Sequence, residues 1–161
     1  MNIATDIQDD FAEKLVTTWE ASVRATHDFL GEEDIAFFRP LVRQAVKEVG
    51  PVYYLTGEED SVAGLMAVVD EKIEMLFLHP ACRGRGLGRQ FVTYALESLR
   101  ARFVDVNEQN PQAVGFYQHM GFVVTGRSAL DSTGKPFPIL YMEWRGKGEG
   151  RAQGKSVLKC A

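Results

Sequence analysis

Cysteine is nearly missing from this sequence: Cys82 and Cys160 are its two thiols in 161 residues. Two cysteines build no disulfide framework, and these fall in a loop and in the C-terminal tail. No structural disulfide is expected between them, and a reducing cytoplasm is the expected compartment. No apolar run approaches the ~20 residues that a membrane-spanning helix needs, and no signal peptide is expected at the start. Net positive charge is also lacking. The formal net charge is −4, so the protein as a whole is not built to coat nucleic acid. There is no internal repeat, and no GxxxxGK[ST] pattern, which removes the P-loop nucleotide enzymes.

What is present is an ordinary globular mix, 45% hydrophobic and 25% charged, in a length that suits one domain with a real core. Charge is uneven. Residues 1–34 hold nine acids against Lys14 and Arg24. From Arg145 to Ala161 there are five bases, one acid and many glycines. The expected organisation is a domain over residues 1–144 and a flexible basic, Gly-rich tail over 145–161.

Phe11, Leu15, Trp19 and Val23 recur every four residues, the stripe of an amphipathic helix that follows the acids Asp9 and Asp10. "ATHDFLGEED" interrupts it. A second stripe, Ile35, Phe38, Val42, Ala45 and Val49, closes at Gly50-Pro51. The period then changes. "VYYLT", "SVAGLMAVV" and "KIEMLFL" predict an antiparallel meander. Leu87, Phe91, Ala95 and Leu99 mark a third helix, "RFVDVN" a strand, and Asn110-Pro111 the cap and first position of a fourth helix that ends at Gly121. "FVVTGRSAL" and "ILYMEW" pair across "DSTGKPFP". With a short strand near Ile3, the order is β, α, α, β, β, β, α, β, α, β, β. This is an α/β domain of the α+β type, about four helices flanking a mixed, largely antiparallel sheet.

Between the meander and the third helix lies "HPACRGRGLGRQF", with Gly84, Gly86 and Gly88 alternating between Arg83, Arg85 and Arg89. Glycine costs entropy on folding and is retained where the backbone takes positive φ or something approaches it closely. A strand, a glycine loop and a helix start make an anion site, because the first N–H groups of a helix lack partners and its dipole is positive there. Arginines add charge-assisted donors. The alternative reading is a helix start with spare glycines and solvated arginines.

"RGRGLG" fits R-x-x-G-x-G, the acyl-CoA pyrophosphate loop of the GNAT superfamily of N-acyltransferases, and "NEQNPQAVGFYQHMGF" resembles that family's later N-x-x-A-x-x-F-Y-x-x-x-G-F motif. "SVRATHDFL", "NEQN" and "GKPFP" are similar to the small bacterial YjaB-like members. The resemblance covers about residues 5–144. It implies a sheet with a central splayed strand pair, "LFL" and "VDVN", and an N-acetyltransferase that moves an acetyl group from acetyl-CoA to a primary amine by direct attack. No metal and no covalent enzyme intermediate are implied. A CoA-binding sensor without turnover is the competing reading.

Position by position, the resemblance implies that backbone amides from Arg85 through Gly86, Leu87 and Gly88 to Arg89 cradle the pyrophosphate, with Arg83 and Arg89 beside it and Gly84 among the cofactor-binding residues. Leu76, Phe77 and Leu78 offer main chain to the pantetheine, as in strand addition. Tyr117 is the expected general acid toward the departing thiolate, since a phenol stays protonated at neutral pH. Its alternative is a core aromatic paired with Phe116. Asn107 orients pantetheine or a water, and Asn110 caps its helix and touches the cofactor. Glu74, which period two puts beside Leu76 and Leu78, is the candidate base or else a solvent-facing charge. His27, Asp28 and His79 are rivals as base, and His27 has a pKa suited to it. His27, Asp28 and Phe29 are candidates for acceptor binding, though "ATHDFL" also reads as a helix break capped by Thr26 or Asp28. Cys82 lies on the pyrophosphate side and is not expected to be catalytic. The expected partner is an amine, either a protein lysine or N-terminus or a small molecule, with no nucleic acid and no membrane. The expected assembly is a monomer or a homodimer.

Overall fold

The computed structural model describes residues 1–146. Residues 147–161, which hold most of the expected basic tail and Cys160, lie outside the described residues. The chain divides into two compact units, Met1–Arg102 and one that begins at Phe103.

The first unit runs β1 (Asn2–Ala4), α1 (Asp9–Thr26), α2 (Glu32–Glu48), β2 (Val52–Thr56), β3 (Val62–Val69), β4 (Lys72–Leu78) and α3 (Leu87–Ser98). The strands lie in the order β1-β2-β3-β4, every pair antiparallel. Asp70 and Glu71 join β3 to β4 with φ of 47 and 63. Two positive φ angles in a two-residue connection match the right-handed twist of a hairpin.

The stripe of α1 is buried as its period requires: Leu15 and Val16 are fully covered, and Trp19 and Val23 nearly so. Leu15 meets Val46 of α2 and Val52 and Leu65 of the sheet. Val16, Trp19 and Val23 meet Ile35, and Phe77 of β4 packs against both groups. Each such aliphatic side chain contributes about 1.5–3 kcal/mol through burial. Outside this core Arg39 bonds Glu13 and Glu20, and Arg43 reaches Glu13 at 3.0 Å. These pairs are half-exposed and add little individually.

The opposite face of the sheet takes α3. A Cβ on Gly64 of β3 would lie 2.7 Å from Leu78 Cδ2 and 2.9 Å from Phe91 Cε2. Glycine here lets α3 settle against β3 and β4, which fixes where the glycine loop points.

The second unit runs β5 (Phe103–Asn107), α4 (Pro111–His119), β6 (Phe122–Ser128) and β7 (Ile139–Trp144), with strand order β5-β7-β6, again antiparallel. Gly121 leaves α4 at φ 100, and the Trp144 indole N–H donates to the Met120 carbonyl at 3.2 Å.

The elements lie within a residue or two of the expected ones, with two local differences. Neither Thr26 nor Asp28 caps α2. Gly31 does, and its N–H donates to the Asp34 carboxylate at 3.1 Å. The second concerns register. Ala67 pairs with Met75 but Val68 pairs with Ile73, so Glu74 is an extra residue, a β-bulge. Alternation does not carry through it, and period two therefore does not place Glu74 on the side of Leu76 and Leu78.

Candidate active site

Strand β4 delivers the chain to a short 3₁₀ turn, Pro80–Cys82, because proline cannot continue a ladder. His79 caps that turn: its Nδ1 accepts from the Ala81 N–H at 3.3 Å. This is a structural use of a residue considered as a base. Cys82 is half-buried and unpaired.

Gly84 and Gly86 then take φ of 73 and 76, the left-handed region, with open space where a Cβ would stand. Gly86 is the N-cap of α3, and glycine provides no side chain to satisfy the first N–H groups. The first turn carries no acidic residue either. The helix mouth is left bare, while Arg85 and Arg89 stand exposed and make no ion pair among the described residues. Leu87 is half-buried and Gly88 buried. Donors and positive charge without a protein counterpart are what an anion needs. An open groove of about 420 Å³ starts at Gly86 and Arg89 and runs along α3 past Thr93 and Tyr94.

Arg83 turns elsewhere. Its guanidinium donates to the carbonyl and to the hydroxyl oxygen of Ser22, each at 3.2 Å, and so joins the loop to α1. Sequence reasoning missed Ser22 and read Thr26 only as a cap. Their spacing puts both on one face of α1, but only the fold shows that Arg83 arrives there.

His27 follows α1 directly, half-buried, with its ring 5.2 Å from that of Phe29. Thr26 Oγ1 lies 2.8 Å from its Nδ1. Burial and then the neighbouring Arg83 charge push its pKa down to about 4, against a smaller upward pull from Asp28. This corrects the expectation that its pKa suits a base: such a ring releases its proton far too readily to hold one at neutral pH. Asp28 is exposed and Phe29 half-buried. Glu74, on its bulge, faces Lys72 Nζ at 3.3 Å and keeps a 39% exposed side chain. Leu76, Phe77 and Leu78 end β4, paired through Met66, Leu65 and Gly64 of β3.

The remaining candidates lie in the second unit. Asn107 ends β5, and its side-chain carbonyl accepts from the Gln109 N–H at 3.2 Å, an Asx turn. Asn110 is buried, and its side chain accepts from the Ala113 N–H at 3.2 Å, the capping bond of α4. Tyr117 is 6% exposed, edge-on to Phe116 and Phe122 with centroids 5.1 and 5.4 Å away. Burial raises its pKa above the ordinary phenol value, so it stays protonated. Its hydroxyl has no bond among the described residues. Since no fully buried side-chain N or O there lacks a partner, that oxygen reaches solvent. No group of three or more metal-ligating side chains occurs among the described residues, and no helix there is long and apolar enough to cross a membrane.

These parts define first a class: an α/β protein with a mostly antiparallel sheet and a bare helix mouth after its fourth strand. Residues 32–137 match the Acetyltransferase (GNAT) domain family, and the chain belongs to that family of acetyltransferases. It is 44% identical over 128 residues to the peptidyl-lysine N-acetyltransferase YjaB of Salmonella typhimurium, covering 80% of this chain and 88% of that one. To the protein of the same name from Escherichia coli it is 43% identical over 134 residues, covering 83% and 90%. The solution structure of apo YjaB from Escherichia coli matches with a TM-score of 0.79 at 41% identity, over 91% of this chain and all of the other. The fold class and the enzyme class expected from the sequence both hold.

Proposed function

We propose that this acetyltransferase moves the acetyl group of acetyl-CoA to the side-chain amine of a protein lysine by direct attack. The observation that carries the reading is the uncapped α3 N-terminus, with Gly86 at φ 76 and with Arg85 and Arg89 unpaired among the described residues. Main-chain N–H groups from Arg85 to Arg89 hold the diphosphate, and Gly84 and Gly86 keep it free of Cβ atoms. The main chain of Leu76–Leu78 holds the pantetheine, and an N–H near Leu76 or Phe77 steadies the oxyanion.

The amine nitrogen bonds the thioester carbon and the C–S bond breaks. Tyr117 gives its proton to the departing thiolate, and the nitrogen loses one proton to Glu74 through water or to bulk water. Asn107 orients the pantetheine or that water through the amide nitrogen its turn leaves free. The lysine acceptor is favoured by the two similar YjaB proteins, both named as peptidyl-lysine enzymes.

Mixing the full chain with acetyl-CoA and lysine peptides, N-terminal amines or polyamines, and reading free thiol and product mass, tests this. Transfer to lysine Nζ is expected, and Tyr117→Phe should lower kcat about 100-fold while acetyl-CoA still binds. Binding of acetyl-CoA with no transfer to any amine would mean a sensor. Transfer to polyamines alone would overturn the lysine assignment.

A further inference from the structure

We propose that Thr26 fixes His27 as its Nδ1–H tautomer, so that the Nε2 lone pair stands as a ready hydrogen-bond acceptor for the incoming amine. This rests on the acetyltransferase reading above, and it makes His27 an acceptor contact instead of the base.

One hydrogen atom fixes the tautomer. The Thr26 hydroxyl donates to the Ser22 carbonyl at 2.8 Å, and a carbonyl can only accept. Thr26 Oγ1 has no second hydrogen to give. Yet Nδ1 of His27 lies 2.8 Å from the same oxygen. Both contacts are hydrogen bonds at once only when the ring nitrogen is the donor in the second. In a neutral imidazole a proton on Nδ1 leaves Nε2 as an acceptor.

Nε2 is also open. It makes no hydrogen bond among the described residues, and no fully buried side-chain nitrogen or oxygen there is without a partner, so Nε2 reaches solvent. The ring is kept neutral by its surroundings. Arg83 donates to the same Ser22 carbonyl that Thr26 uses, which sets a guanidinium beside the imidazole. Burial and that charge oppose protonation, and Asp28 opposes them only in part. A neutral ring can accept from an N–H, whereas an imidazolium cannot. The guanidinium also disfavours an ammonium ion relative to the free amine, which is the form that attacks a thioester. Thr26 acts through His27 and is a positioning residue.

Imidazole ¹⁵N NMR on the full chain tests this, with a His27→Gln spectrum identifying the His27 signals. At neutral pH the ring should carry its proton on Nδ1. Thr26→Val removes the oxygen that accepts from Nδ1 and should return the ring to the Nε2–H form. The same variant should raise KM for a lysine peptide about tenfold, the size of one hydrogen bond, with KM for acetyl-CoA unchanged. Thr26→Ser should restore both. A wild-type ring protonated on Nε2, or an unchanged peptide KM in Thr26→Val, would overturn the inference while leaving the acetyltransferase reading intact. An Nδ1–H ring in a protein that transfers acetyl to no amine would overturn both.

Discussion

The guanidinium of Arg83 donates to both oxygens of Ser22, the carbonyl and the hydroxyl, at 3.2 Å each. The residue that opens the glycine loop is thereby held on the helix that carries Thr26 and leads into His27. Burial pulls its pKa below the usual value, but a guanidinium stays charged at any working pH. Arg83→Ala should cost roughly 1–2 kcal/mol from two lost hydrogen bonds. It should also raise the His27 pKa, because the substitution removes a cation and opens the site to water. An NMR titration of His27 in the variant checks this, and an unmoved midpoint would separate the two residues.

Gly86 should be sensitive for a reason that packing does not supply. Its φ is 76 and nothing lies within 4 Å of the place a Cβ would take, so Gly86→Ala strains the backbone without a clash. The stability cost should be about 1–2 kcal/mol. The acetyl-CoA KM should rise at least about tenfold if the helix mouth is the diphosphate site proposed above, because a methyl would then stand in its way. Gly115 is the control. It sits in α4, also with no neighbour within 4 Å but without a positive φ, so Gly115→Ala should stabilise by roughly 0.5–1 kcal/mol. Chemical denaturation of both variants, with acetyl-CoA kinetics on Gly86→Ala, reads these outcomes.

Asn110 carries a cap and a motif position at once. Its side chain accepts from the Ala113 N–H at 3.2 Å, and Pro111 follows as the first helical residue. Asn110→Ala should cost about 1 kcal/mol by leaving that N–H without its partner. Asn110→Asp and Asn110→Ser keep an accepting oxygen and should recover most of it. If the alanine variant instead held its stability and lost acetyl-CoA affinity, the residue would belong to the cofactor site and not to the cap.

Most of the fold could be read from periodicity and punctuation. The four-residue stripe of α1, the glycine and proline after α2, and the Asn110-Pro111 start of α4 each have a local cause, and each appears where that cause sits. Glu74 shows where local reasoning stops. A bulge is a property of a strand pair, visible only when Ala67 meets Met75 and Val68 meets Ile73. Arg83 is a second case. Its place in R-x-x-G-x-G points to the diphosphate, while its partner Ser22 is 61 residues away in sequence. The pKa of His27 is a third, because desolvation belongs to the folded surroundings and not to the string "ATHDFL".

The depressed pKa of His27 should make the fold lose stability in mild acid. Folded, His27 titrates at about 4, against 6.5 for an ordinary histidine, with burial as the main cause and Arg83 second. Above pH 6.5 the ring is neutral in both folded and unfolded chains and costs nothing. Between 6.5 and 4 the unfolded chain binds a proton that the native protein refuses, so stability falls as the pH is lowered and the loss is complete below about 4. The full loss is roughly 3 kcal/mol at 1.36 kcal/mol per pKa unit. Asp9, Glu32, Asp60 and Glu108 are ion-paired carboxylates with lowered pKa values, and their losses begin only near and below the ordinary carboxylate range. His27→Gln should therefore flatten the stability profile between about pH 6.5 and 4.5 while leaving the steeper fall at lower pH in place. Urea midpoints across that range, for wild type and variant, decide the matter: parallel profiles would mean that His27 takes up its proton in the native protein as easily as in the unfolded chain.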